Sequence, residues 1–88
     1  MYKITNYTKK KANDMGLYIT PSKKTNKKLD IYKDGRFLTS IGDIRYGDYP
    51  TFKEQYGAEY ANRRKMAYYQ RHKKDSGIAG KLAKKLLW

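Results

Sequence analysis

The sequence predicts an α+β fold: a small antiparallel three-stranded sheet with a short N-terminal helix, a long basic helix and a C-terminal amphipathic helix. Three observations predict it. Asp34-Gly35, the dipeptide suited to a two-residue hairpin turn, sits between the alternating runs 29–33 and 36–41. Residues 51–74 and 78–88 repeat apolar and aromatic side chains at helical spacing. Between the two halves, 42–50 gathers Gly42, Gly47 and Pro50, the backbone chemistry of a connector. The chain therefore reads as one small basic domain: a helix-plus-hairpin region over 1–41, a connector over 42–50 and a helical region over 51–88.

Taken in order, Thr8 is placed to cap a helix running to Met15, with Gly16 closing it. Lys9, Lys10 and Lys11 then fall in the first turn, where the helix dipole disfavours cations, so anion contact competes with a solvated face as their explanation. Residues 17–20 alternate like a strand, and 21–28 form an exposed loop with four lysines. A two-residue turn at Asp34-Gly35 pairs Tyr32 with Phe37 and Ile31 with Leu38, on opposite faces. Both faces are then partly apolar, so a helix is expected on one and another cover, a partner among the candidates, on the other.

In the connector, Pro50 is expected to push Tyr49 out of helical geometry, and Thr51-Phe52-Lys53-Glu54 has the form of a capping box. Ile44, Tyr46, Tyr49 and Phe52 are expected to fill the junction, with Arg45 as its outward contact. Phe52, Tyr56, Tyr60 and Ala67 share one arc of the following helix, which Gly57 kinks or divides into two. Asp75-Ser76-Gly77 is expected to break that helix and cap the next. There Ile78, Leu82 and Leu86, with Ala79, Ala83 and Leu87, make an apolar face that must dock on the sheet or on a neighbour.

The 88 residues carry 21 Lys and Arg against 8 Asp and Glu, a net +13 divided almost evenly between the two halves. Such a density calls for a polyanionic partner: nucleic acid, an acidic protein surface or an anionic membrane. With no cysteine there is no disulfide, thiolate metal site or cysteine nucleophile. No apolar run approaches the roughly 20 residues that span a bilayer. Ten tyrosines supply rings that pack on one side and hydrogen-bond on the other.

The strongest binding candidate is the segment with Arg63, Arg64, Lys65, Tyr68, Tyr69, Arg71, His72, Lys73 and Lys74. Guanidinium forks grip phosphate or carboxylate while interleaved tyrosines stack or hydrogen-bond. The competing explanation is a solvated helix face. Lys9, Lys10, Lys11 and Arg45 complete the candidate polyanion-binding set. No base-reading pattern accompanies it, so any DNA contact is expected to be to phosphate. His72, the one histidine, lies among cations and reads as a surface residue rather than a general base, and the scattered carboxylates suggest no metal cluster. No catalytic residue, cofactor, metal or small-molecule substrate is expected. Docking of the last helix on core or partner is preferred to membrane contact.

Tyr7-Thr8-Lys9-Lys10-Lys11-Ala12, Pro21-Ser22-Lys23, the run 29–35, Ser40-Ile41-Gly42-Asp43-Ile44, Asp48-Tyr49-Pro50-Thr51, Arg63-Arg64, Tyr69, Arg71-His72-Lys73-Lys74-Asp75 and Leu86-Leu87-Trp88 stand in a distinctive order and spacing. Together they resemble a family of short basic proteins of unknown function encoded by large nucleocytoplasmic DNA viruses, over nearly the whole chain. The resemblance carries no catalytic residues. It implies a virion setting, with the host cell interior during assembly. On that basis the expected role is a non-enzymatic minor capsid or cement component binding acidic surfaces of larger virion proteins. The alternative is a nonspecific DNA-binding protein for genome condensation or packaging.

Overall fold

The computed structural model describes residues 2–74 and 77–88. Helix α1 (Asn6–Asp14) leads into strands β1 (Tyr18–Pro21), β2 (Lys27–Lys33) and β3 (Arg36–Asp43), followed by helices α2 (Tyr49–Tyr56), α3 (Ala58–Arg71) and α4 (Ile78–Leu87). The sheet is antiparallel in the order β1-β2-β3, so the α+β class and its three strands are as the sequence predicts.

The hairpin turn follows from Asp34 (φ 51°) and Gly35 (φ 80°), both in the left-handed region that a type I′ turn requires. Tyr32 faces Phe37 as expected, but Ile31 faces Thr39, not Leu38. Leu38 is the extra residue of a β-bulge. In a regular strand Phe37 and Ile41 would share a face, because side chains alternate. The bulge inverts that parity, so Phe37 lies beside Tyr32 while Ile41 lies opposite Leu29 in the core.

The core joins Leu29, Ile31 and Ile41 of the sheet to Ala12 of α1 and to Leu82, Leu86, Leu87 and Trp88. The last helix thus docks on the sheet and on α1. Ile78, predicted on its apolar face, is instead exposed, one turn beyond the reach of the sheet. Burying each such leucine contributes roughly 1.5–3 kcal/mol.

The cap of helix α1 lies three residues before the predicted one. Thr5 is its N-cap, accepting the Thr8 N–H, because the Thr8 hydroxyl is engaged elsewhere: it is buried and donates to the Leu86 carbonyl at 2.8 Å. Lys10 and Lys11 therefore leave the unfavourable first turn, at whose end Lys9 remains. Lys10 pairs with Asp14 one turn on, and Lys11 sits in the last turn, where the dipole favours a cation.

The loop predicted over 21–28 is shorter, since Pro21 closes β1 and β2 starts at Lys27. Lys28 is buried and donates to Asp48 Oδ2 at 2.9 Å. The same carboxylate accepts the Tyr2 hydroxyl at 2.7 Å and the Thr51 N–H at 3.1 Å, which makes Asp48 the N-cap of α2. The capping box at Thr51 is superseded by this cap. Tyr49 and Pro50 accordingly occupy the first turn of α2, where the missing N–H of proline costs nothing.

Tyr49 and Phe52 pack against the core as expected, whereas Ile44 and Tyr46 are exposed, Tyr46 at 67 %. They sit in the turn after β3, where Tyr46 borders the cleft between the sheet and the helices instead of filling the junction. Gly57 divides the predicted 51–74 helix into α2 and α3. The predicted break and cap at Asp75-Ser76 lie outside the described residues; Gly77 is the N-cap of α4 without a side-chain cap bond.

Gly42 fixes how β3 leaves the sheet. Its φ is +79°, and a Cβ there would stand 2.8 Å from Leu87 Cδ1 and 2.9 Å from Lys28 Cδ. A Cβ on Gly47 would strike the Phe52 ring. Gly42→Val is expected to lower the unfolding free energy by about 3 kcal/mol, from left-handed strain plus overpacking. Denaturant titration checks this; an unchanged midpoint would remove Gly42 as a determinant of the junction.

Candidate functional site: a basic, aromatic-walled cleft

The helical repeat of α3 divides the predicted binding segment into stripes. Arg64, Tyr68, Arg71 and His72, at spacings of four, three and one, share the face that lines a cleft of about 700 Å³. Across it lie Lys27, Asp43 and Gly42 of the sheet and Ala79 and Ala83 of α4, with Trp88 beside them. The cleft exists because α3 and α4 approach the end of the sheet without closing over it, and small residues on α4 keep it open.

One wall is a stack of rings. Tyr68 lies 4.5 Å from Trp88 at 12° and 4.3 Å from His72 at 28°, with Tyr69 edge-on at 6.0 Å. The Tyr69 hydroxyl donates to the Lys84 carbonyl at 3.3 Å, tying α3 to α4 behind this wall. Arg64 lies over the Phe52 ring, 5.3 Å from its centroid. Among the described residues, neither Arg64 nor Arg71 forms an ion pair with a carboxylate. Arg64 is thus held against an aromatic ring and Arg71 lines the same cleft, both with donors available for an external anion.

At the rim, Arg45 forks onto Asp43 with contacts of 3.0 and 2.7 Å. The Arg45 side-chain and backbone donors hold the Asp43 carboxyl down at about 2, so it stays ionised throughout the physiological range. Arg45, expected to face outward toward a partner, is indeed exposed, but it is engaged by its own neighbour.

The other stripe of α3 faces α1. Lys65 lies over Tyr49, Tyr49 lies 5.3 Å from Tyr7, and Lys11 lies over Tyr7, a cation–ring–ring–cation ladder. Ring faces between the two ammonium groups explain how like charges share this seam. Burial pushes the Tyr7 phenol above its ordinary value, with Lys65 and Lys53 opposing the shift.

The predicted basic set is therefore not one surface. Arg64, Tyr68, Arg71 and His72 meet at the cleft; Lys11 and Lys65 meet at the ladder. Lys9, Lys10, Arg63, Lys73 and Lys74 are exposed outside both. Lys27, Trp88 and the gap above Gly42 escaped sequence reasoning. The signal was the closing Leu86-Leu87-Trp88, whose one aromatic had no stated partner. The chain matches no family model, no curated protein and no solved structure.

Proposed function

We propose that this chain is a non-enzymatic cationic adaptor of a virion, a minor capsid or cement component that grips acidic surfaces of larger virion proteins. The observation that carries this reading is the pair Arg64 and Arg71, set beside the Tyr68–Trp88 stack without an internal carboxylate partner among the described residues. Guanidinium groups in such a setting take carboxylates as forks. The resemblance to basic proteins of large nucleocytoplasmic DNA viruses supports the virion setting.

The test uses nuclease-treated particle shells stripped of the protein. Arg64→Gln/Arg71→Gln is expected to rebind them about tenfold or more weakly than the native chain. Equal rebinding, or release of the native chain with the nucleoprotein fraction, would sink the reading. The second reading, genome condensation, draws on Arg63, Lys73 and Lys74, exposed beyond the cleft. It requires affinity for duplex DNA that falls steeply with salt.

A further inference from the structure

The face of the sheet turned away from Leu29 and Ile31 carries three aromatic rings in a row, one from each strand. Tyr18, Tyr32 and Phe37 are successive register partners, with centroids 6.0 and 5.6 Å apart. Tyr18 is 66 % and Phe37 49 % exposed. Nothing in the packing of the fold calls for them there: the core lies on the other face, and the Leu38 bulge is what delivers Phe37 to this one. Two rings of this size left in solvent on a small domain mark a contact surface rather than an unused one.

We propose that this row is a stacking platform for single-stranded nucleic acid, separate from the basic cleft, with which it shares no lining residue. Rings accept nucleobases of any identity on their faces. The spacing of the rings exceeds the rise of about 3.4 Å between stacked bases of a duplex. Bases seated on successive rings must therefore be splayed, which a single strand allows and a duplex does not. Beside Tyr18 and Tyr32 runs a groove of about 480 Å³, bounded by Pro21 and Lys23.

The charge around the rings matches a phosphodiester backbone. Lys24 reaches to 5.8 Å from the Phe37 centroid, and Lys23 borders the groove. The buried acid of this face, Asp30, is turned inward, its carboxylate held by Ser22, Ser40 and the Lys23 N–H. Asp34 at the turn is the exposed acid nearby. A second copy of the chain is disfavoured as the occupant by its own +13. An acidic peptide satisfies the lysines but leaves the rings without a stacking partner.

The experiment measures fluorescence anisotropy of a labelled oligothymidylate of about 12 nucleotides against an abasic strand of equal length and charge. The native chain is expected to bind the thymidylate about tenfold or more tightly than the abasic strand, and Tyr18→Ala/Phe37→Ala to abolish that difference while leaving circular dichroism unchanged. Tyr18→Phe/Phe37→Tyr keeps the rings and retains it. Arg64→Gln/Arg71→Gln also retains it, so loss of the cleft reading leaves this one standing, and the reverse. Equal binding of both strands, or an alanine variant that still distinguishes them, overturns the proposal. So does a dimer in sedimentation that the alanine variant dissolves, or polyglutamate binding that the alanine variant loses.

Discussion

Asp48→Ala is expected to lower the unfolding free energy by about 3–5 kcal/mol, because it strands the buried Lys28 ammonium without its counter-charge. The same change removes the cap of α2 and the acceptor of the Tyr2 hydroxyl. For a domain whose whole stability is of order 5–15 kcal/mol, the loss removes a large share of it and, at the lower end of that range, leaves a sizeable fraction of molecules unfolded. Thermal unfolding followed by circular dichroism reads the effect directly. Lys28→Met/Asp48→Leu is the companion experiment, since replacing both charges with apolar groups removes the stranded ion. It should recover a good part of the stability, and a double variant as unstable as Asp48→Ala would show that the cap and not the ion pair dominates.

The sign of the pH dependence follows from the same carboxylate. Burial alone raises the Asp48 pKa, but Lys28, Tyr2 and the Thr51 N–H outweigh it and hold the carboxyl below the usual range. A folded value below the unfolded value of about 4 favours the folded state at neutral pH. That contribution is fully present above the unfolded value and is lost as pH falls through the depressed folded one. The native chain and Asp48→Asn should therefore converge in stability on acidification. Asp30 acts with the same sign: burial raises it, and the Ser22, Ser40 and Lys23 donors more than reverse this. Burial and the adjacent Asp48 carboxylate push the Tyr2 phenol upward, so it remains a donor over the whole of this range.

Trp88→Ala is the second large effect, expected at about 3–5 kcal/mol by thermal or denaturant unfolding. Its ring is buried, stacks on Tyr68 and lies 6.0 Å from Phe52, so three elements lose packing at once. Trp88→Phe preserves a smaller ring at the same place and should recover more than half of the loss. A Trp88→Ala protein with native stability would mean that the stack decorates the cleft without supporting it. The two large variants also separate in character: Asp48 acts through charge and is sensitive to pH, whereas Trp88 acts through packing and is not.

What was legible in the sequence was local. Asp34-Gly35 announced the hairpin because the turn demands left-handed angles that few residue pairs adopt. Gly57 announced an interruption, and the leucines of α4 announced a docked helix. The basic and aromatic segment was legible as a whole, but not the stripe of Arg64, Tyr68, Arg71 and His72 that the cleft selects from it. What escaped depended on contacts distant along the chain. Nothing near Lys28 says that it will be buried; Asp48, twenty residues on, decides that. Thr8 looked like a cap because its acceptor, Leu86, lies at the far end of the sequence. The Leu38 bulge was hidden because alternation alone permits both registers, and only the burial of Ile41 opposite Leu29 selects one. Tyr46 looked like filler for the connector, but the turn carries it outward.

The hydroxyls of α1 have one more consequence, for the order in which the chain acquires its structure. Thr8 donates to the Leu86 carbonyl and Tyr7 to the Trp88 carbonyl, across 78 and 81 positions of sequence. Contacts of such separation form late, since the entropy of closing so long a loop must be met before they contribute. During synthesis, the hairpin and α1 emerge first but cannot complete a core until α4 has left the ribosome. Until then the apolar side of the sheet, with Leu29, Ile31 and Ile41, stays uncovered. The dense positive charge then serves the nascent chain as well as any partner, holding such half-finished molecules apart.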